Sequence, residues 1–364
     1  MQRNFIMKKK VGVVGYGGMG QWHVCSIAGT TYLNAIDFNE SEVCEIVAVH
    51  DIDPKKNEKA RADGYKAYDT LEEFLSDESI EIVVIATPND VHESIAIAAM
   101  DAGKHVICEK PVTMSCESLE NMIAASERNN RKFSVHQNRR YDDYFVLMKQ
   151  LCDEDSVGEI ISIESRVHGD HGIPGDWRKT VEKGGGMLYD WGVHMIDQQL
   201  WMLGYDVESV YARFDYLTGA PVDDGCYVDI KLRSGKNLHV EIATYNFVKL
   251  PLMYMRGKMG TAMINDWKDK IHITRCTGFP EDDNIRPAKT ANGLSKTMAP
   301  RTDRAMESFD MELPHVDVHD YYRNFCDAID GKCEQLVTHD QMRVVMKVIM
   351  AAFESARTNT VVKF

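Results

Sequence analysis

The sequence predicts an α/β protein whose first half forms a parallel, doubly wound sheet. In that half, apolar runs of strand length alternate with helical patterns, which is typical of a parallel sheet with helices on both faces. In the second half, five strand patterns follow one another and predict a second, broad sheet. The chain has 364 residues, enough for two domains of about 150 residues each.

The elements follow in a regular order. Strand patterns of the first half lie at 11–14, 46–49, 81–88, 104–111 and 132–138, with helical patterns at 89–103 and 114–129. Strand patterns of the second half lie at 158–169, 209–217, 226–235, 237–247 and 253–264, and two final helices are expected near 316–330 and 338–356. Because ligands bind at the carboxyl ends of the strands in such a sheet, the candidate site lies where the first strands end.

The composition disfavours several classes of partner. The formal net charge of −14 argues against binding to nucleic acid or to an anionic membrane. No apolar run has the length of a membrane span, and the first ten residues lack the pattern of a secretion signal. The nine cysteines include no C-x-x-C pair, which predicts reduced thiols and a cytoplasmic protein.

A glycine motif joins the first predicted strand to the first helix. Residues 15–20 read G-x-G-x-x-G, in which the first glycine permits a tight turn and the second lets the backbone approach a pyrophosphate. The third glycine lets the helix pack against the strand, and the helix N-terminus offers free N–H groups to the phosphates. The candidate cofactor contacts of this motif are Gly15, Gly17, Gly18, Met19 and Gly20.

Asp51 follows the second predicted strand, where a carboxylate can accept hydrogen bonds from an adenosine ribose. Its distance from Gly20 exceeds the usual spacing of about 20 residues, so residues 29–43 are interpreted as an insertion. The acid favours NAD, because it would repel a 2′-phosphate, although Lys55 and Lys56 leave NADP as a less favoured alternative. The structural alternative for Asp51 is a helix-capping role.

Three turns at the ends of the strands, over 87–89, 109–111 and 137–139, are expected to face a nicotinamide. Lys110 is the most informative residue among them, because a lysine beside a cofactor can relay a proton. The alternative is a surface lysine at the end of a strand. The candidate cofactor contacts in and near these turns are Thr87, Pro88, Asn89, His92, Glu109, Lys110 and Asn138.

A second candidate lies on a helix that follows three glycines at 184–186. Asp190 and His194 are four residues apart on it and are expected to share one face, which Asp197 extends. The neighbouring face is apolar, so this polar stripe is expected to be enclosed. Such a stripe is typical of a site, but also of a buried histidine whose hydrogen bonds are satisfied.

Several of these segments together resemble one protein family. The motifs GYGGMG, AGKHVICEKPV, HQNRRYDD and GGGMLYDWGVHMID are similar to those of the Gfo/Idh/MocA oxidoreductases, and the resemblance runs over nearly the whole chain. It implies a Rossmann domain over 1–138, followed over 139–364 by an α/β domain with a large, mainly antiparallel sheet. That sheet often forms subunit contacts in the family, so a homo-oligomer, either a dimer or a tetramer, is expected.

The resemblance also implies catalytic roles for Lys110, Asp190 and His194. His194 suits a base that takes the proton of a hydroxyl, with Asp190 orienting its ring and Lys110 holding the reacting oxygen or relaying the proton. Whether Lys110 or His194 takes the first proton is left open. Trp177 and Arg178 match a pair that lies against cofactor or substrate in the family, although a core tryptophan with a surface arginine is the alternative. The expected substrate contacts are Lys110, Trp177, Asp190 and His194.

The leading hypothesis is an NAD-dependent dehydrogenase that acts on a secondary hydroxyl of a sugar, polyol or glycoside. The alternatives are a glycosidase that oxidises its sugar only transiently with bound NAD, and a non-catalytic nucleotide-sensing protein. No metal is expected, because the HGDH segment over 168–171 has no fourth ligand at a recognisable spacing. Arg139 and Arg140 are expected to be structural or to lie beside a hinge, rather than to be catalytic. The long polar segment over 277–315 is expected to cover a large substrate or to reach a neighbouring subunit.

Overall fold

The structure, a computed structural model, describes residues 7–279, 287–297 and 299–364, so part of the polar segment over 277–315 lies outside the described residues. The helices are α1 Gly18–Ala28, α2 Pro54–Ala62, α3 Leu71–Ser76, α4 His92–Asp101, α5 Cys116–Arg128, α6 Asp143–Asp153, α7 Val193–Leu203, α8 Asp320–Ile329 and α9 His339–Thr358. The strands are β1 Lys9–Val14, β2 Thr31–Tyr32, β3 Ile36–Asp37, β4 Cys44–His50, β5 Ala67–Tyr68, β6 Ile82–Ile85, β7 His105–Cys108, β8 Phe133–Val135, β9 Ile160–His168, β10 Val207–Asp215, β11 Gly225–Leu232, β12 Asn237–Ala243, β13 Met253–Gly257, β14 Gly260–Ile264, β15 Ile271–Cys276, β16 Ala288–Thr290, β17 Gly293–Ser295, β18 Met306–Met311 and β19 Val362–Lys363.

The first sheet has six parallel strands in the order β5-β4-β1-β6-β7-β8. Every residue of β6 is buried, as expected for a strand whose two faces are both covered by helices. The strand order reverses between β1 and β6, and a doubly wound sheet opens its ligand crevice at such a reversal. The predicted parallel, doubly wound sheet is therefore confirmed, and its crevice adjoins the glycine turn after β1. The segment interpreted as an insertion contains a small hairpin of β2 and β3.

The second sheet has nine strands in the order β18-β15-β14-β13-β9-β12-β11-β10-β19, and all neighbours except β9 and β12 are antiparallel. In β12, Leu238, Val240 and Ile242 are buried, whereas His239 and Glu241 between them are only partly buried. This alternation gives the sheet one apolar face, which α7 and α9 cover, and one open polar face. The large, mainly antiparallel sheet is thus confirmed.

Helix α8 packs on the first sheet although it follows the second sheet in the chain. Nε2 of His319 lies 2.7 Å from the backbone O of Ser26, and the Tyr321 hydroxyl donates to the backbone O of Val135 at 2.9 Å. The boundary predicted between residues 138 and 139 assigns this helix to the second domain. That boundary stays a prediction, and the helix on the far side of it contacts the first domain.

A buried ion pair joins the end of the first sheet to α7. Arg140 lies in the short helix Asn138–Tyr141, is 1% exposed, and donates from Nε and Nη2 to Asp197 at 2.7 and 2.6 Å. Its Nη1 also donates to the backbone O of Leu336 at 3.0 Å. Because both charges are out of water, removal of either partner would leave the other uncompensated. Asp197 therefore anchors α7 and does not extend a polar stripe toward a ligand, and Arg140 is structural as expected.

All nine cysteines carry free thiols. The Sγ atoms of Cys44 in β4 and Cys326 in α8 lie 3.5 Å apart in the interior. The reduced state expected from the cysteine pattern stays a prediction. Over the described ranges, no helix has both the length and the apolar character needed to cross a lipid bilayer.

Candidate active site

The glycine motif forms the turn that the sequence predicts between β1 and α1. Gly15 has a φ of +94°, and a Cβ on it would lie 2.5 Å from the backbone O of Ala86 in the neighbouring strand end. A Cβ on Gly20 would lie 1.7 Å from the backbone O of Gly15, so only glycine lets α1 start this close to β1. The residues of the motif that reach the surface are Gly17, Gly18 and Met19. This cradle fits a pyrophosphate at the start of α1.

Asp51 follows β4 and is only 5% exposed. Its Oδ2 accepts the backbone N–H of Tyr16 at 2.6 Å, and its Oδ1 accepts that of Asp53 at 2.9 Å. Nζ of Lys56 lies 3.4 Å from Oδ2. The residue that caps α2 is Asp53, whose side chain accepts the N–H of Lys55, so the capping alternative for Asp51 is wrong. Asp51 instead joins the glycine turn to the end of β4.

Lys110, which follows β7 of the first sheet, meets Asp190, which precedes α7. Nζ of Lys110 donates to the backbone O of Asp190 at 2.8 Å and to Oδ1 at 3.1 Å. Nε of Arg178 donates to Oδ2 at 2.9 Å, so both carboxylate oxygens have a partner. Burial raises the pKa of Asp190, but the charges of Lys110 and Arg178 outweigh it and hold that pKa below its ordinary value. The carboxylate is therefore ionised at neutral pH.

His194 on α7 is 4% exposed. Burial lowers the pKa of its imidazole well below the ordinary 6.5, and the charges of Lys110 and Arg139 lower it further. Its Nδ1 has no hydrogen-bond partner among the described residues. His194 is therefore neutral at neutral pH, and its buried Nδ1 has no partner within the described part of the chain.

The helix that carries Asp190 and His194 differs from the regular helix that the sequence predicts. Leu188–Gly192 forms a turn of π-helix before α7 begins. The carboxylate of Asp190 is directed to Lys110 and Arg178 and leaves Nδ1 of His194 unpaired within the described structure. No hydrogen bond from Asp190 to Nδ1 of His194 therefore supports the expected role of Asp190 in orienting the ring.

Side chains connect the turns at the strand ends. The buried His92 has Nε2 3.0 Å from the backbone O of Thr87 and Nδ1 3.2 Å from that of Pro111. Nδ2 of Asn89 donates to the backbone O of Gly184 at 3.2 Å. Two predicted cofactor contacts thus connect these segments: His92 joins two of the turns, and Asn89 joins its turn to the loop of glycines over 184–186. The remaining predicted contacts of the turns, which lie at the same edge of the sheet, are Pro88 and Asn138.

Three buried polar atoms at this edge have no hydrogen-bond partner within the described part of the chain. They are Oγ1 of Thr87, Oε1 of Gln137 and Nδ1 of His194, from the ends of β6 and β8 and from α7. Buried polar atoms in folded proteins are normally paired, and unpaired ones call for an explanation. A ligand rich in donors and acceptors, such as a nicotinamide amide beside a polyhydroxylated molecule, fits this set.

The glycines before Asp190 are closely packed. A Cβ on Gly185 would lie 2.3 Å from the backbone O of Arg178, and one on Gly186, whose φ is +105°, would lie 2.1 Å from Oδ1 of Asp223. Oδ2 of Asp223 accepts the N–H of Leu188 at 2.8 Å, at the start of the π turn. Burial raises the pKa of Asp223 to about 7. Asp223, which the sequence analysis missed, therefore supports the loop that leads into the π turn.

Trp177 and Arg178 begin a short helical turn, Trp177–Lys179, in which no residue is buried. The Arg178 guanidinium lies 4.7 Å from the centre of the Trp177 ring and donates to Asp176 at 2.8 Å. The alternative of a core tryptophan is therefore wrong. Arg178 contacts the catalytic candidates directly through Asp190, whereas contact of Trp177 with a ligand stays a prediction.

Arg139 also belongs to the site, although the sequence analysis expected it to be structural. Its guanidinium lies 4.2 Å from the ring centre of Trp191 and 5.0 Å from that of Trp267, and Nη1 donates to Asp142 at 3.0 Å. Its charge also acts on His194. These residues come from three separate parts of the chain, so no local motif could have identified them.

Glu109, a predicted cofactor contact, is 5% exposed and faces a buried cluster behind Lys110. Its Oε1 lies 2.9 Å from Nε2 of His23 and 2.7 Å from Nδ1 of His136. In the described ranges, these three residues have ligand atoms within 4.8 Å of one another, close enough to hold a metal ion. Hydrogen bonds between the same atoms already give each of them a partner. Contact of Glu109 with a cofactor stays a prediction.

The HGDH segment does not converge on one point. His171 pairs with its neighbour Asp170 at the surface. Nε2 of His168 lies 3.3 Å from Oε1 of Glu241 in the adjacent strand β12. The side chain of His168 therefore lies in the sheet, whereas those of Asp170 and His171 lie at the surface, and the three do not converge to bind one metal ion.

Comparison with known proteins identifies relatives of both halves. Residues 9–137 match the family model for the Gfo/Idh/MocA oxidoreductase family, NAD-binding Rossmann fold, and residues 145–262 match that for the Gfo/Idh/MocA C-terminal domain. The solved structure of an NAD-binding protein from Listeria innocua is 40% identical, with a TM-score of 0.88 over 98% of this chain and 99% of that one. The scyllo-inositol 2-dehydrogenase (NADP(+)) IolW of Bacillus subtilis is 32% identical over 357 residues, 96% of this chain and 94% of the relative. The match to an uncharacterized oxidoreductase of Schizosaccharomyces pombe, 36% identical over 160 residues, spans only 43% of that relative.

The raised pKa of Asp223 makes the stability of the protein depend on pH. Since the folded pKa of about 7 lies above the ordinary 3.8, folding favours the protonated acid, and stability is lost as pH rises through this range. Asp223→Asn keeps an acceptor for the Leu188 N–H and removes the buried charge. We expect it to gain on the order of a few kcal/mol of stability relative to wild type at pH 8, and much less at pH 5.

Thermal unfolding at both pH values measures this difference. Asp269→Asn, at an exposed position, is the matched control and should not alter the pH dependence. An equal effect of Asp223→Asn at both pH values would show that Asp223 is ionised in the folded protein throughout.

Proposed function

Because the chain belongs to the Gfo/Idh/MocA oxidoreductase family, we propose that it is an NAD-dependent oxidoreductase that transfers a hydride between a secondary hydroxyl of a sugar, polyol or glycoside and nicotinamide. The observation that carries the proposal is the meeting of Lys110 and Asp190 beside the buried, neutral His194, at the edge where the crevice of the first sheet opens. The name of IolW supports a polyol as substrate class.

The dinucleotide would be held by the glycine turn and by the strand ends. The turn residues Gly15, Gly17, Gly18, Met19 and Gly20 would hold the pyrophosphate, and Asp51 would accept from the adenosine ribose. The proposed contacts are completed by Thr87, Pro88, Asn89, His92, Lys110, Asn138, Trp177 and Arg178, whereas Glu109, buried behind Lys110, would act on the cofactor through that lysine. NAD is favoured because Asp51 would repel a 2′-phosphate. Lys56, whose Nζ lies 3.4 Å from Oδ2 of Asp51, and the NADP(+) in the name of IolW keep NADP as the alternative.

When bound, the nicotinamide supplies the acceptor for the substrate hydride. Lys110 donates to the reacting oxygen and stabilises the negative charge that develops there as the proton leaves. His194 accepts that proton, because it is the neutral member of the pair and has an unpaired ring nitrogen. Asp190 holds Lys110 in place and balances its charge, and Trp177 offers an aromatic face to a sugar ring.

Two other functions are compatible with this fold. A glycosidase that oxidises its sugar transiently would cleave a glycoside without accumulating reduced cofactor. A nucleotide-sensing protein would bind the cofactor without turnover. The contact of Lys110 with Asp190, together with the electrostatic effect of Lys110 on His194, favours the dehydrogenase, since a sensor needs no proton acceptor near a polarising cation.

The open polar face of the second sheet supports a homo-oligomer. It carries both signs of charge at close range; Arg166, for example, donates from Nε to Glu241 at 3.0 Å. A face of mixed charge can meet a second copy of itself about a two-fold axis. We expect light scattering of the purified protein to give the mass of a dimer or tetramer, and a monomer at micromolar concentration would contradict this proposal.

Formation of reduced nicotinamide with NAD, and separately with NADP, tests the function on a panel of free sugars, inositols, sugar acids and glycosides. Wild type should turn over at least one of these substrates, and faster with NAD. Lys110→Ala and His194→Ala should each lose roughly a hundredfold or more in kcat/KM, because each removes a group that acts on the reacting oxygen or its proton.

Lys149→Ala removes a lysine paired with Asp153 at the surface and is the matched control. Its activity should equal that of wild type. Cleavage of a glycoside without reduced cofactor would establish the glycosidase instead, and full activity in the Lys110 and His194 variants would contradict the proposed roles.

A further inference from the structure

A buried carboxylate lies one residue before Lys110. Oε1 of Glu109 is shared between Nε2 of His23 at 2.9 Å and Nδ1 of His136 at 2.7 Å, and Oε2 lies 3.2 Å from the backbone N of Lys110. Nδ1 of His23 in turn lies 2.6 Å from the hydroxyl of Tyr322. The four side chains come from α1, the end of β7, the end of β8 and α8, so the cluster connects the start of the dinucleotide crevice with the lysine turn and the returning helix.

The protons of this cluster can be assigned from its hydrogen bonds. A carboxylate only accepts, so each ring presents an N–H to Oε1, and Nδ1 of His23 then accepts from Tyr322. Burial, and then the nearby His136, lowers the pKa of His23 to about 4, so this ring is neutral. Burial raises the pKa of Glu109, but His136 and His23 outweigh it and bring that pKa well below its ordinary value. The cluster therefore contains an ionised carboxylate.

The surroundings of the cluster offer this charge little solvent. The ring of Trp22 lies edge-on at 5.4 Å from His23, and that of Tyr321 at 4.7 Å from His136. Both histidines are buried, His23 completely. In such an environment a charge acts over a longer distance than it would in water.

The charge of Glu109 acts on the candidate catalytic groups. The site gathers three cations, Lys110, Arg139 and Arg178. Asp190 accepts from both Lys110 and Arg178, Asp142 accepts from Arg139, and Asp176 accepts from Arg178. Glu109 and His136 both act on the pKa of His194: Glu109 raises it against the effect of the cations, whereas His136 lowers it as the cations do.

Resting on the proposed function, we propose that Glu109 is a positioning residue: clamped by His23 and His136, its carboxylate fixes the backbone of the Lys110 turn and supplies the negative charge that lets His194 accept a proton among three cations. It acts through Lys110 and His194 rather than by touching substrate. A bound metal ion would require both rings to turn lone pairs toward the point where they now present N–H groups.

Glu109→Gln is the decisive variant. The amide has the shape of the carboxylate but carries no charge, and its two donors and one acceptor cannot match two ring N–H groups and the Lys110 N–H at once. The matched control is Glu120→Gln, which removes a surface carboxylate paired with Arg343.

In steady-state kinetics, Glu109→Gln should lower kcat roughly tenfold or more with little change in the KM for NAD, since the cofactor cradle is unaltered. The acidic limb of its pH profile should move to lower pH, because His194 loses a charge that favours its protonated form. The control should match wild type in both respects. An unchanged kcat and pH profile, or a loss confined to the KM for NAD, would overturn the proposal.

A second measurement does not depend on turnover. Acetic anhydride labels lysine side chains, and mass spectrometry compares the labelling rate of Lys110 with that of the surface Lys149 in the same sample. We expect Lys110 to be labelled several times faster in Glu109→Gln than in wild type, because its turn is no longer fixed, while Lys149 is unchanged. An equal rate would overturn the proposal.

The two measurements distinguish the failure of the positioning role from the failure of the proposed function. If wild type turns over no substrate, the proposed function fails, and the labelling rate alone decides whether Glu109 positions Lys110. Metal analysis of the purified protein completes the test: a stoichiometric metal ion that is lost in Glu109→Gln would overturn the assignment of protons on which the role rests.

Discussion

The contact between Lys110 and Asp190 is the constraint on which the rest of the candidate site depends. One partner follows a strand of the first sheet and the other precedes the helix that covers the second, so the contact forms only when both halves are in place. The two side chains are 16% and 12% exposed. An ion pair with so little solvent is stable only when further hydrogen bonds satisfy its remaining donors and acceptors. Arg178 donates a second hydrogen bond to the Asp190 carboxylate, and the backbone O of Asp190 accepts a second hydrogen bond from the Lys110 ammonium. The turn that carries Lys110 and the loop of glycines over 184–186 that leads to Asp190 are therefore fixed relative to each other.

This arrangement divides the site into charged and neutral parts. Lys110, Arg139 and Arg178 are cations with carboxylate partners, whereas burial keeps His194 neutral although it is the group suited to accept a proton. Burial and nearby cations make it a weak base, and a site that needs a proton acceptor there must offset them. The ionised Glu109, held from behind by two rings, is the nearby group of the right sign. Structural burial and catalytic chemistry thus impose opposite demands on the same few residues.

The sequence predicted those features that local chemistry determines. Gly15 and Gly20 are required by one turn, Lys110 follows one strand, and apolar runs in the first half and strand patterns in the second define the two sheets, so the fold class and the positions of these residues could be inferred. Features formed by residues far apart in the chain could not: Arg139 over Trp191 and Trp267, Asp223 beneath Gly186, and α8 on the first sheet. The π turn at Leu188–Gly192 has no sequence signature, and neither has the contact of Asp190 with Lys110.

A double-mutant cycle on Lys110→Met and Asp190→Asn, read in kcat, tests this account most directly. If the pair acts as one unit, the double variant will be no slower than the worse single variant, a coupling of about 1.4 kcal/mol or more. If the two losses in kcat simply multiply, the residues act independently, and the contact between the halves is not what assembles the site.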